Sequence, residues 1–458
     1  YGAGRGALSH TENINVLIKT DINKVYGGGN AGSCGDTVVR IEKGTVEDNV
    51  YGGGYAGTSQ NTKVQIDDSN NLSGILIKGS VFGGGEGITA SVYESTDVYI
   101  DLALDMTVTE QLESLGDISG ISNVTVNFNG TYSKILGSVY GGGDLGQVGE
   151  GIINIINNTA SISQTAELTV TIKNGYIKGS VFGAGNGVPP ADTVYNLTMG
   201  AVFGETNVVV NGGYIEGSYE VDATTYYKGS IYGGGNQSRI YSDDTATNVF
   251  INQTETSPNI VIYGSVFGGG DRGSKTSTNA SVPTTIGKAF VNIQNDAATT
   301  KIYFVSGGVY GDGNFCLVRG TKTIEMKNFT TNSEGTLKTF FSLQRADQVI
   351  LDNTDIVLKG AIDLVEEDDE NVYSINRVKH ILFKNGSSVK LVSIVKLLEA
   401  VESDFYGFYK NDGQKVYYDD RTFINNGYNG TNGINNTNPV TPLTTEEIEA
   451  YQDGEDSN

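Results

Sequence analysis

The chain has 458 residues, a formal charge of −23, 63 glycines, six prolines and 18% charged side chains. This acidic balance argues against a nucleic-acid backbone as partner and against an electrostatic membrane anchor, and no run of ~18 apolar residues is present to span a bilayer. Few prolines without a G-X-Y period exclude collagen, and the moderate charge excludes a coiled coil or a charged disordered chain.

The chain opens on "YGAGRG", which reads as the tail of a Val-aromatic-glycine unit, and Tyr1 follows neither a methionine nor a signal peptide. The expectation is a piece of a longer polypeptide. "NINVLIK" (13–19) then alternates apolar and polar residues as a half-buried strand does, and "KVYGGGNAG" follows from Lys24. "DTVVRIE" (36–42) leads to "NVYGGGYAG" from Asn49, and "NTKVQID" (61–67) to "GSVFGGGEG" (79–87). "NVTVNF" (123–128) precedes "GSVYGGGDLG" from Gly137, and "ELTVTIK" (167–173) precedes "GSVFGAGNG" from Gly179. A degraded copy, "GAVFGETN" from Gly200, runs into "TNVVVN" (206–211); "GSIYGGGN" follows from Gly229 and "TNVFIN" (247–252) precedes "GSVFGGGDRG" from Gly264. "AFVNIQ" (289–294) precedes the last copy, "GGVYGDGN" from Gly307.

Such copies are an internal repeat, and repeats decide architecture before any single motif can be read. The unit is a strand, a turn, a second strand and a glycine-rich loop, with Asn-Gly or Gly-Gly supplying positive φ at "KNGYIKGS" (173–180) and "NGGYI" (211–215). The signature aliphatics Val25, Val50, Val81, Val139, Val181, Val202, Ile231, Val266 and Val309 lie 21 to 58 residues apart. Short spacings suit one coil of a β-solenoid. Long ones suit a coil with an insertion, expected at 144–166, 186–206, 218–227 and 271–288. The glycines then read as a corner where the backbone bends sharply and neighbouring coils approach, not as a phosphate cradle.

The fold expected is all-β, a parallel β-solenoid of about a dozen coils at strand spacing. Residues 1–320 form the repeat region, 321–421 degenerate coils and a cap, and 422–458 a polar, acidic linker or tail. "KTIEMK" (322–327), "DQVILDNTDIVLKG" (347–360) and "KHILFKNGSSVKLVS" (379–393) keep the strand-turn-strand pattern. "VSIVKLLEAVES" (392–403) has the spacing of a short amphipathic helix, and "FYGFYKNDGQKVYYDD" (405–420) that of a hairpin.

The V-[YF]-G-G-G-[ND]-x-G units, over roughly residues 1–320, resemble the adhesin-like parallel β-helix repeats of bacterial and archaeal surface proteins. The resemblance implies a right-handed parallel β-helix outside the cell, serving as stalk or binding part of a longer chain.

Valines of the signature should point inward, and the aromatics beside them (Tyr26, Tyr51, Phe82, Tyr140, Phe182, Phe203, Tyr232, Phe267, Tyr310) should stack as a second column. Simple alternation turns that column outward, although a bend at the preceding Gly-Ser could reverse it. An outward column at Tyr26, Tyr51, Tyr140, Tyr232 and Tyr310 would suit a glycan, held by ring stacking and flanking amides; rings stacked only on one another would merely tie coils together. The residue after the glycines is usually polar (Asn30, Glu86, Asp144, Asn186, Asn236, Asp271, Asn314). Glu86, Asp144 and Asp271 are candidate Ca²⁺ ligands, against the plainer reading that Asn and Asp tolerate left-handed turns. No other cofactor is expected.

The acidic pairs, "NTD" at 353–355, His10 before the first strand and His380 leading a later one do not assemble the set a polysaccharide lyase or hydrolase needs. Cys34 and Cys316 read as isolated thiols, Arg239 and Arg272 as solvated loop charges, and the N-x-[ST] sites at Asn123, Asn196, Asn252 and Asn328 as chance in an Asn/Thr-rich chain. The functional expectation is a non-catalytic surface or secreted repeat protein presenting loops to a glycan or protein. The alternatives are a carbohydrate-active β-helix enzyme and a passive stalk.

Overall fold

The computed structural model describes residues 1–391 except 70–73, 116–117, 131, 155–158, 188–198, 223–224, 255, 272–282, 298–300, 306, 315, 330–342, 359–360, 364–372 and 386, together with 408–409 and 415–416. Among these residues every regular element is a strand. The expected helix at 392–403 and the tail at 422–458 lie outside them. The expected hairpin is present as Phe408–Tyr409 antiparallel to Lys415–Val416.

Each repeat, or coil, supplies three strand positions, the third of them in a separate parallel sheet. The two signature residues form a short aromatic strand, such as Val25–Tyr26, Val50–Tyr51 or Val81–Phe82. A long strand follows the glycine corner, and a third, short strand follows the long one, as in Thr45–Val46 and Leu76–Ile77. Eleven long strands stack in order, each parallel to the next: His10–Ile18, Ser33–Ile41, Thr58–Asp67, Ser91–Asp101, Ala166–Asn174, Val202–Val210, Ile240–Gln253, Pro283–Asn295, Lys322–Lys327, Leu343–Asp352 and Tyr373–Lys384. The degenerate region from Lys322 therefore continues the parallel stack.

Register follows from the alternating pattern, because a one-residue slip would turn every inward side chain out. Val39, Val64, Val98, Val170, Val208, Val249 and Val291 pair in sequence, and so do Ile41, Ile66, Ile100, Ile172, Val210, Ile251 and Ile293. These columns, the signature aliphatics and the third-strand residues Val46, Ile77, Ile135, Ile177, Ile215 and Ile262 pack into one continuous core. The turn glycines Gly175 and Gly213 take positive φ (134° and 101°), as Asn-Gly and Gly-Gly predict.

"NVTVNF" does not belong to a coil: Ile118–Phe128 pairs antiparallel with Met106–Leu115 as a hairpin inserted between coils. The copy at Gly200 is not a corner, since Val202 pairs with Val148 and Ile240 and so opens a long strand. Parts of the expected insertions are likewise sheet: Gln147–Val148, Val202–Val210 and Pro283–Asn295 are all in the main stack.

Two of the three hairpin insertions among the described residues lie against the stack, the third being Ser218–Asp222 antiparallel to the start of Thr225–Tyr232. Val124, Met106, Val108 and Val126 of the 106–128 hairpin pack on Tyr214, Val261, Tyr263 and Tyr303, and Phe128 stacks on Tyr176 at 5.1 Å. This hairpin thus crosses the third strands of four consecutive coils. Glu110 fastens it, accepting from Lys301 Nζ and Tyr303 OH at 2.8 Å each. At its root the buried Asp68 accepts from Ala103 N (2.7 Å) and the Ser133 hydroxyl, pinning both ends of the insertion. A second hairpin, Glu150–Asn154 with Thr159–Gln164, lays Ile153, Ala160 and Ile162 on Phe203, Tyr241 and Ile286.

Candidate functional site

The glycine corner and the two residues before it set the geometry of the candidate site. A Cβ added to the first glycine of a corner would run into the carbonyl oxygen of the first glycine in the next coil: Gly27 into Gly52, Gly83 into Gly141, Gly141 into Gly183, Gly233 into Gly268. Close approach of coils, rather than left-handed backbone, is what these glycines provide. That first-glycine carbonyl is itself capped from inside. Thr37, Thr62 and Thr96 donate to Gly52, Gly83 and Gly141 at 2.6 Å, and Thr206 and Thr247 to Gly233 and Gly268 at 2.7 Å. The sequence carried this signal as a repeated T-x-V-x-[IV], which the strand reading passed over. The serines before the signature serve similarly: Ser80 and Ser138 hydroxyls each accept from the next coil's serine N–H at 3.0 Å.

Simple alternation fails at the aromatic strand. Val and aromatic are both buried in Val25–Tyr26, Val50–Tyr51, Val81–Phe82, Val139–Tyr140 and Val181–Phe182. The valine enters the aliphatic core, and the ring enters a column of its own. That column runs Tyr1, Tyr26, Tyr51, Phe82, Tyr140, Phe182, Tyr232, Phe267, Tyr310, with centroids 4.6–5.0 Å apart and planes within 19°. From Tyr26 to Phe267 the rings are at most 7% exposed, so their faces meet one another and offer no open platform to a sugar. Phe203 is not in this column; it stacks on Tyr241 beneath the second hairpin.

Over the hydroxyl ends of the rings runs the polar row, bridged from coil to coil through Asn30, Tyr55 and Glu86, and again through Asp144, Asn186, Asn236, Asp271 and Asn314. Left-handed backbone falls one residue later, at Ala31 (57°), Ala56 (51°), Leu145 (66°) and Gln237 (53°), so tolerance of αL does not explain the polar residues. They bond along the row instead. Asn186 Nδ2 donates to Asp144 Oδ1 (2.9 Å), Asn236 Nδ2 to Asn186 Oδ1 (3.0 Å) and Asn314 Nδ2 to Asp271 Oδ1 (3.0 Å).

Tyrosines reach up to this row across two coils. Tyr26 OH donates to Glu86 and Tyr51 OH to Asp144 Oδ2 (3.2 Å). Burial, reinforced by Glu86 beside Tyr26 and by Asp144 beside Tyr51, drives both phenols well above their ordinary range. Burial also raises the Asp144 carboxyl, against the lowering effect of its Asn186 and Tyr51 bonds. Lys24 closes this end, 3.0 Å from Asp48 and 3.6 Å from Glu86, with its ammonium 5.9 and 5.8 Å from the Tyr26 and Tyr51 ring centres.

Of the three candidate calcium ligands, Glu86 and Asp144 occupy neighbouring coils, whereas Asp271 stands three coils beyond Asp144, roughly 14 Å at strand spacing. One ion cannot join all three. Both Asp144 oxygens already accept hydrogen bonds, and among the described residues no three His, Cys, Asp or Glu side chains converge. Cys34 and Cys316 are buried and unbridged. Arg239 is buried, not a solvated loop charge, and Arg272 lies outside the described residues. His10 begins the first strand, its Nδ1 2.9 Å from the Ser33 hydroxyl. Comparison with protein-family models, curated proteins and solved structures finds no match to this chain.

Proposed function

We propose that this chain is a right-handed parallel β-helix working as the stalk of a non-catalytic, extracellular repeat protein, with its insertions meeting a glycan or protein partner. The observation that carries this reading is the continuous register of the aliphatic and aromatic columns, with the polar groups of the corners bonded largely along their own row. Loops on a rigid scaffold carry recognition. The insertions at 106–128 and 150–164 are committed to the stack by their own packing, which leaves partner contact to the other insertions, 188–198 and 272–282 among them.

Electron microscopy of the purified chain should give rods in which eleven coils span roughly 50 Å; a round particle would sink the stalk. Shortening 188–198 and 272–282 to tight turns should abolish binding to cells or glycan arrays while leaving thermal unfolding unchanged. Cleavage of a polysaccharide by the intact chain would overturn the non-catalytic reading.

A further inference from the structure

Two phenols of the ring column are arranged to lose an electron and a proton together. Tyr26 and Tyr51 lie face to face, with centroids 5.0 Å apart and planes 7° from parallel. Each gives its hydroxyl hydrogen to a carboxylate of its own, Tyr26 to Glu86 and Tyr51 to Asp144 Oδ2 at 3.2 Å. Asn49 Nδ2 donates to the Tyr51 oxygen at 2.9 Å, so that oxygen keeps a donor when its own hydrogen leaves. Tyr176 and Tyr303 also give to carboxylates, Glu216 and Glu110, and what the column adds is a second such phenol flat against the first.

A phenol that has lost an electron is a strong acid, so oxidation is easy only where a base takes the proton in the same step. Ionising the phenol beforehand is closed to this pair. Burial, with Glu86 beside Tyr26 and Asp144 beside Tyr51, holds both far above the ordinary tyrosine range. An oxidised ring that kept its proton would be a cation, and the Lys24 ammonium stands 5.9 and 5.8 Å from the two ring centres, where like charges repel. The proton therefore goes to the carboxylate already bonded to it. Tyr55, exposed to solvent, stands edge-on to Tyr26 at 6.3 Å and gives electrons a way out. Tyr26 and Tyr51 are buried, which shelters a radical there, and Phe82, stacked on Tyr51 at 5.0 Å, has no phenol hydrogen to give and bounds the pair.

We propose that Tyr26 and Tyr51 form a one-electron redox pair, each passing its phenol proton to its own carboxylate when a strong one-electron oxidant removes an electron. At Tyr26 the O–H bond breaks, a new O–H bond forms on Glu86 and the electron goes to the oxidant. A neutral phenoxyl radical is left beside a neutral carboxyl. Exchange with Tyr51 balances in the same way: an electron passes from the Tyr51 ring to the Tyr26 radical, Glu86 returns its proton to Tyr26, and Tyr51 gives its proton to Asp144. The titratable groups facing the pair are Tyr1, Lys24, Asp48, Glu86 and Asp144. Whatever the stalk binds, this chemistry is separate from it.

Flash-generated tris(bipyridine)ruthenium(III) supplies the oxidant for a test. Phenylalanine already stands in this column in other coils, so Tyr26→Phe/Tyr51→Phe keeps the stack and removes both phenols. The phenoxyl signal of the wild type, read by electron paramagnetic resonance, should lose most of its intensity in that variant; equal signals would overturn the proposal. The fast oxidation phase that disappears with the two phenols should keep its rate from neutral pH to the onset of tyrosine ionisation. In Glu86→Gln/Asp144→Asn, which keeps the shapes and removes the bases, it should slow by about a hundredfold at neutral pH, the low end of what a positioned base contributes, and climb with pH. Matching rates and profiles would overturn the proposal. Should the second variant fail to fold, the wild type decides: a fast phase that itself climbs with pH above neutrality overturns it.

Discussion

The first glycine of each corner is held by contact, not by torsion. Gly83 faces the Gly141 carbonyl on one side and the Thr96 Cβ on another, so a methyl group there must push two backbones apart. Gly83→Ala should lower stability by about 1–3 kcal/mol, the usual range for overpacking. Chemical denaturation measures it, and a loss under about 0.5 kcal/mol, the level of an indifferent surface change, would count against the contact. The inward valines and isoleucines were readable because long alternating runs such as Ser33–Ile41 and Thr58–Asp67 fix a face. The rings were not. A strand of two residues has no alternation to read, and in Val25–Tyr26 both side chains are buried, each in a different column. The polar row was visible as a column but not its reason, since the left-handed position one residue later belongs to Ala31, Ala56, Leu145 and Gln237, none of which advertises it.

The two hairpins turn insertions into straps. Period-two alternation says that a segment is a half-buried strand, but not whether its partner runs parallel or antiparallel, and that is why "NVTVNF" (123–128) looks like part of one more coil in the sequence. Similarly, "AVFG" at 201–204 repeats the letters of a corner, yet it stacks on Val148 and Ile240 because no second and third glycine follow. The strap at 106–128 is fastened across the stack by Glu110, whose partners Lys301 and Tyr303 are 191 and 193 residues away in sequence. Glu110→Ala removes the acceptor of both and should cost on the order of 1–3 kcal/mol locally, as for hydrogen bonds to a charged group. Hydrogen exchange should quicken throughout 106–128 while the long strands keep their protection. Unchanged exchange in the hairpin would mean that its apolar face alone holds it down.

At the scale of the whole molecule, the architecture was legible because the repeat imposes it many times over, whereas the docking of insertions depends on residues hundreds of positions apart that no local pattern links. The stacked phenols give the molecule a common alkaline limit. Tyr26, Tyr51, Tyr140, Tyr176 and Tyr303 are pushed far above the ordinary tyrosine range, chiefly by burial, and Tyr214 and Tyr241 up to about 12. The unfolded chain ionises its tyrosines near ~10, so the stability they confer is complete below that pH and declines above it. Phenolate absorbance should therefore rise in step with the loss of β-sheet circular dichroism. Free titration near ~10 with the sheet intact would refute this.

In a simple stack each layer knows only its nearest neighbours, and the ends fray one layer at a time. Here Tyr26 and Tyr51 are each anchored beyond the adjoining layer, to Glu86 and Asp144. Peeling away one turn of the chain leaves a dangling hydroxyl or an unanswered carboxylate two turns inward. The smallest block that comes loose with both of these bonds intact is four turns, from Tyr26 to Tyr140, which makes the unzipping front advance in strides instead of single steps.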